Sequence, residues 1–183
     1  MMQEKQQTYY SALSHRGFDM HTILSAVESG EYSIDLVVSV ALSDQQPQAR
    51  YSSWIISHYL MRSNSIDAYV NAAINFLYNT EFKHTGHLRE ILRWFSYIPI
   101  HKHYNIGALV HVCFAVLSDM TMPTGVKCHA MNILEKVVKS EPELIPEFVA
   151  VLHDIEPYMT RSGARKIKKL LAKLRLMQEK HIL

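Results

Sequence analysis

Histidine is the residue type best placed to do chemistry in this chain, which carries eleven of them in 183 residues. His84 and His87 stand three apart in HTGH, so a helix there sets both imidazoles on one face, and His101 and His103 follow in HKH. Neutral imidazoles hold zinc or iron when they converge with a carboxylate or thiolate, for which Glu81, Glu90 and Cys113 are the nearby candidates. Spacing alone imposes no such convergence, so the expectation is histidines at helix ends and surfaces, with no metal and no cofactor. Nucleophilic catalysis has no motif behind it. The chain contains no Gly-x-Ser-x-Gly elbow, no His-Glu-x-x-His helix, no Gly-x-x-x-x-Gly-Lys phosphate loop and no Gly-x-Gly-x-x-Gly turn. Its two cysteines, Cys113 and Cys128, fall within helical apolar patterns and read as buried thiols of a reducing compartment. No catalytic residue is expected.

Binding chemistry is better supported. The formal charge is +2, yet residues 161–180 hold eight Lys or Arg against the single acid Glu179, leaving eleven bases and sixteen acids elsewhere. At 100° per residue, Ile167, Leu170, Leu171 and Leu174 form one apolar stripe of a helix there. Lys168, Lys169, Lys173 and Arg175 lie around the rest and are the expected electrostatic contact, toward phosphates or an acidic partner. On a helix over 65–79, Asp67, Asn71 and Asn75 make a polar stripe at i, i+4 and i+8. Together with His111 they are the expected binding groove.

The elements that must position these residues read as helices throughout. Apolar residues recur at i, i+3, i+4 and i+7, strict alternation over a strand length is absent, and the six glycines and six prolines fall mostly between apolar runs. Asp19 can cap a helix to about Ser29, where Gly30 stops it, and a second helix follows over 33–43. Three pairs come next: 47–62 with 65–79, 84–97 with 102–118, and 123–139 with 142–154. A basic helix over 162–179 closes the chain. Residues 1–17 read as a polar N-terminal segment that can itself be helical, and residues 18–183 as one repeat domain. The first residues have no apolar signal region and no run approaches a membrane span, so a cytoplasmic location is expected.

A unit repeats. Arg50, Arg89, Lys127 and Arg165 are separated by 39, 38 and 38 residues and follow Ala49, Leu88, Val126 and Ala164. That period means helical pairs stacked so that neighbours bury what one pair cannot. The repeated cation is expected to pair with an aspartate or a free helix-end carbonyl nearby.

Leu42-Ser43-Asp44 leading to Ala49-Arg50, and Leu117-Ser118-Asp119 leading to Val126-Lys127, resemble the Leu-x-Asp-x-x-x-x-Val-Arg pattern of short HEAT-like (armadillo-type) repeats. The resemblance covers roughly residues 33–178. It implies an all-α, right-handed α-α superhelix of about four helical pairs with capping helices at both ends. It implies an architecture, not an activity. HEAT-like di-iron hydroxylases use His-Glu dipeptides, and this chain has none. Thr121-Met122-Pro123 with Lys127 is a weak echo of the fumarase superfamily loop, without its paired serines. The favoured reading is therefore a non-enzymatic interaction or scaffold module with a protein partner. The alternative, by resemblance to HEAT-like DNA glycosylases, is nucleic-acid binding through the basic C-terminal helix.

Overall fold

Local capping chemistry starts the helices after Asp19 and Ser33 where the sequence places them, whereas the starts expected at 65, 102 and 142 fall three to five residues ahead of the α-helices observed. Asp19 Oδ1 accepts the His21 N–H at 2.9 Å and Oδ2 accepts the Thr22 hydroxyl at 2.6 Å, opening α2 (Met20–Glu28). Gly30, at φ +81°, turns the chain out of that helix, and Ser33 Oγ accepts the Leu36 N–H at 3.3 Å to open α3 (Ile34–Ala41). The computed structural model describes residues 2–14, 18–81 and 84–181. Ahead of α2 lies α1 (Met2–Ser14), so most of the polar N-terminal segment is helical. The helices that follow are α4 (Gln48–Met61), α5 (Val70–Asn79), α6 (Thr85–Tyr97), α7 (Ile106–Ser118), α8 (Thr124–Val137), α9 (Ile145–Ile155) and α10 (Arg161–His181). Short 3-10 turns at Asp67–Tyr69 and Pro142–Leu144 lead into α5 and α9, and a third at Glu156–Tyr158 follows α9. The described residues contain no strand.

The helices form two layers. First helices pack side by side in the order α2, α4, α6, α8, α10, and the second helices α5, α7 and α9 do the same behind them. The layers are joined by α3 on α4, α7 on α8 and α9 on α10. Tyr69 brings α3 into the second layer by donating its hydroxyl to Asp35. This is the α-α solenoid expected from the repeat, and a single core runs through it.

Polar groups inside that core are spent on stitching repeats. Trp94 is fully buried and its indole N–H donates to the Ser53 carbonyl at 2.8 Å, tying α6 to α4. Tyr9 and Ser52 share a buried hydroxyl bond at 2.9 Å, tying α1 to α4. Lys136 on α8 places Nζ at 2.7, 2.8 and 3.2 Å from the carbonyls of Phe95, Ser96 and Ile98. A helix end leaves its last carbonyls without intrahelical donors and carries partial negative charge, so a neighbour's ammonium serves both needs of α6.

The repeated cation divides into different roles. Lys127 is 3 % exposed and donates to the Leu117 carbonyl at 2.7 Å, as expected for a charge that closes a helix end. Arg89 departs from that expectation. It is exposed and donates Nε (3.2 Å) and Nη2 (2.8 Å) to Oε1 of its neighbour Glu90. Arg50 is exposed and lies over Gly86, whose missing side chain leaves room for the guanidinium. Arg165 is exposed on α10.

Candidate interaction surfaces

The second-helix layer carries the expected groove residues. Asp67 sits in the turn before α5, where Oδ1 accepts the Tyr104 hydroxyl at 3.2 Å. Asn71 is in the first turn of α5, and its Oδ1 accepts the Asn105 backbone N–H at 2.9 Å. Both side chains therefore clamp α5 to the segment that opens α7, while Asn75 is exposed one turn further along. His111, exposed on α7, meets Tyr78 of α5 with ring centroids 5.3 Å apart.

That ring pair stands at a cavity of about 220 Å³ between α5 and α7, lined also by Leu77, Val112, Val116 and Met122. Asp119 belongs to the lining too, and Thr121 bonds to it through both its hydroxyl and its backbone N–H, holding the carboxyl below its usual range. Tyr78 is 52 % exposed, a large apolar surface to leave in water. Sequence reading did not single it out. Its position seven residues after Asn71 and three after Asn75 sets it on the face of the polar stripe, a spacing that could have marked it as exposed.

The first-helix layer has the opposite chemistry. Helices α3, α5, α7 and α9 contain no Lys or Arg, and their ionised groups are Asp35, Glu147 and Asp154. Helices α4, α6, α8 and α10 hold Arg50, Arg89, Arg93, Lys127 and Lys136 as well as the basic run of α10. Glu90, only 4 % exposed, sits beneath this face and is shared by two guanidiniums, with Arg93 at 3.5 Å from Oε2. Oε2 itself accepts no hydrogen bond, nor does the buried Nδ1 of His129 on α8 have a partner. Burial holds His129 below its usual pKa; Glu90 opposes this, whereas Arg93, Arg89 and Lys166 reinforce it. Burial does the same to His58 on α4, again with Arg93 reinforcing. Arg93 thus acts on histidines of both α4 and α8, and Lys166 of α10 reaches His129, with Glu90 opposing at both sites.

The expected electrostatic set on α10 splits in two. Lys169 and Lys173 join Arg165 and Lys166 around a cleft of about 470 Å³ against α8, where Lys173 pairs with Glu135 and Lys166 donates to Asn132 Oδ1 at 2.5 Å. Lys168 turns instead to Glu156 at 3.7 Å and Arg175 to Glu179 at 3.2 Å.

The histidine clusters do not build a metal centre. His87 is buried at 3 % exposure, with Nε2 donating to the Ala41 carbonyl at 2.8 Å and Nδ1 facing Gln46 Nε2 at 2.9 Å. It sits in the first turn of α6, at a helix end as expected, but in the core rather than at the surface, whereas His84 is exposed. His101 and His103 are exposed and stack on each other, 5.4 Å apart and 9° from parallel. Among the described residues no three His, Cys, Asp or Glu side chains gather where they could hold a metal ion. Burial pushes both thiols up, away from nucleophile character, although Cys128 is only half-buried where full burial was expected. No described helix is long and apolar enough to cross a membrane.

Comparison with known proteins adds one finding. The family model described as HEAT repeat domain matches residues 11–174, which takes in the chain from the end of α1 to Leu174 of α10. No curated protein and no solved structure matched the chain.

Proposed function

Because the chain belongs to the HEAT repeat domain family, we propose that it is a protein-interaction scaffold whose docking groove lies on the second-helix layer, between α5 and α7. The observation that carries this reading is the cavity beside the half-exposed Tyr78 and His111, set in a layer whose helices have no Lys or Arg. Such a surface suits a partner segment that inserts an apolar side chain and flanks it with Lys or Arg, drawn to Asp119, Asp67 and Asp35. Asp67 and Asn71 support the groove from behind. By tying α5 to the start of α7 they hold its walls in place, so binding costs little ordering on this side. Asn75 and His111 are the side chains a bound segment meets. The reading assigns no catalytic residue.

Panning a displayed peptide library on the chain tests it. Enriched peptides are expected to carry a Leu, Ile, Met or Phe beside Lys or Arg. Tyr78→Ser, and separately Asn75→Arg with His111→Arg, are expected to weaken them by about tenfold, or about 1.4 kcal/mol. Enrichment of acidic peptides, or binding indifferent to both variants, would overturn the groove.

A further inference from the structure

The opposite layer carries a second surface that the docking groove does not use. Arg89 and Arg93 on α6 face the same flank as His129 and Asn132 on α8, and Arg165, Lys166, Lys169 and Lys173 continue it on α10. Glu90 meets two guanidiniums with one carboxylate, and Glu135 meets Lys173, so the face keeps an excess of positive charge. Neither Arg165 nor Lys169 makes an ion pair among the described residues. Arg165, Lys169 and Lys173 recur every four residues, about 6 Å apart along the helix axis. A row of point charges at that pitch suits a row of phosphates.

Two further features separate the candidate partners. Protein interfaces are anchored by large aromatic or aliphatic side chains at their centre, but this face exposes none between Thr85 and Ser96, across α8, or on α10 before Leu176, and Met61 of α4 stands only at its edge, against Arg93. Single-stranded nucleic acid is held by aromatic side chains on which bases stack. Helices α8 and α10 contain no Phe, Tyr or Trp, and Trp94 and Phe95 of α6 are fully buried. What remains is a partner recognised by its backbone charge alone.

We propose that the first-helix layer, from Arg89 and Arg93 across to Lys166, Lys169 and Lys173, binds the phosphate backbone of duplex nucleic acid without reading its sequence. The surface is wider than the C-terminal helix and leaves out Lys168 and Arg175, which point elsewhere. It asks for no extruded base and no base chemistry.

Fluorescence polarisation with a labelled 20-base-pair duplex, titrated over a range of salt, is the experiment. About five phosphate contacts give a slope of log K against log salt near −4.5. Arg165→Ser/Lys169→Ser removes two charges that have no ion-pair partner, so the fold is retained, and the slope is expected to shrink by about 1.8. Lys102→Ser/Lys139→Ser removes two exposed charges from outside the face and should leave the slope unchanged. Tyr78→Ser, on the other layer, should also leave it unchanged, which keeps this test separate from that of the docking groove. A slope shallower than about −1, or an equal loss in the control pair, overturns the proposal. So does tighter binding to poly-glutamate of equal charge than to the duplex, which would make the partner an acidic protein.

Discussion

Lys127 Nζ lies 2.7 Å from the carbonyl oxygen of Leu117, ten residues back along the chain and across the turn between α7 and α8. The ammonium is buried, and its pKa is lowered by that burial against the opposing pull of Asp119. A buried charge of this kind costs desolvation and returns it through the bond to the helix end. Lys127→Ala removes the donor and opens a void, so a loss of about 2–4 kcal/mol is expected. Lys127→Met keeps the aliphatic stem and relieves the buried charge, and should cost less than half as much. Urea unfolding of the two variants decides; equal losses would mean that the stem contributes nothing and the ammonium bond alone matters.

Lys136 supplies the C-terminal cap of α6 from α8. Its replacement by Met strands the carbonyls of Phe95, Ser96 and Ile98 in a half-buried site. A loss of about 2–3 kcal/mol follows, since unmet buried acceptors cost about 1–3 kcal/mol and water reaches part of this site. Hydrogen exchange should show the end of α6 opening first. A uniform rise in exchange along the chain would contradict a local cap.

Acid should weaken the fold through its histidines. His87, His58 and His129 all have pKa values lowered chiefly by burial, so the unfolded chain takes up protons near pH 6.5 while the folded chain resists them. More protons on the unfolded state make stability rise with pH. The contribution of these groups is present above about pH 6.5 and lost as pH falls through the folded values. The melting temperature is expected to drop between pH 7 and pH 5, and His87→Gln should flatten that drop. A midpoint that holds or climbs on acidification would refute it.

Two glycines on different helices should respond with opposite sign. A Cβ on Gly163 would stand 2.8 Å from both Thr124 Cγ2 and Met159 Cε, at the close approach of α10 to α8. Gly163→Ala should cost about 1–3 kcal/mol through overpacking. Gly107 has nothing within 4 Å, and Gly107→Ala should be neutral or stabilise by up to about 1 kcal/mol. Thermal melts of the pair check both signs.

The helices were legible because their starts and stops are local. Asp19 and Ser33 each accept a backbone N–H of the turn they open, and Gly30 takes the left-handed conformation that ends α2. Asn105 likewise accepts a backbone N–H at the start of α7, which was expected four residues earlier, at 102. The repeat was legible for the same reason, as a period in residue type. The roles of its cations were not. Lys127 is the fourth residue of α8 and Arg89 the fifth of α6, so the two differ by one helical step of about 100°. That step puts one ammonium in the core and the other guanidinium in water, with Leu88 buried in the place that answers to Lys127.

Similar reasoning covers the candidate surfaces. The spacing of Asp67, Asn71 and Asn75 placed them on one face of a helix over 65–79, but Asp67 falls in the 3-10 turn before α5, and whether the three met water or a neighbour depended on where the loop before α7 ran. The Lys and Arg of the basic run were evident as composition, while their division between the α8 cleft, Glu156 and Glu179 required the packing of α10. By itself the sequence determined an all-helical stack of about four pairs, its boundaries to within about five residues, and the residue types each helix carries, since capping and periodicity act within a few residues. Only the tertiary structure decided that His87 and Glu90 are buried, that Tyr78 is exposed beside a cavity, and that positive charge collects on one layer. Burial and field are sums over neighbours distant in the chain, and they exist only once the helices are side by side.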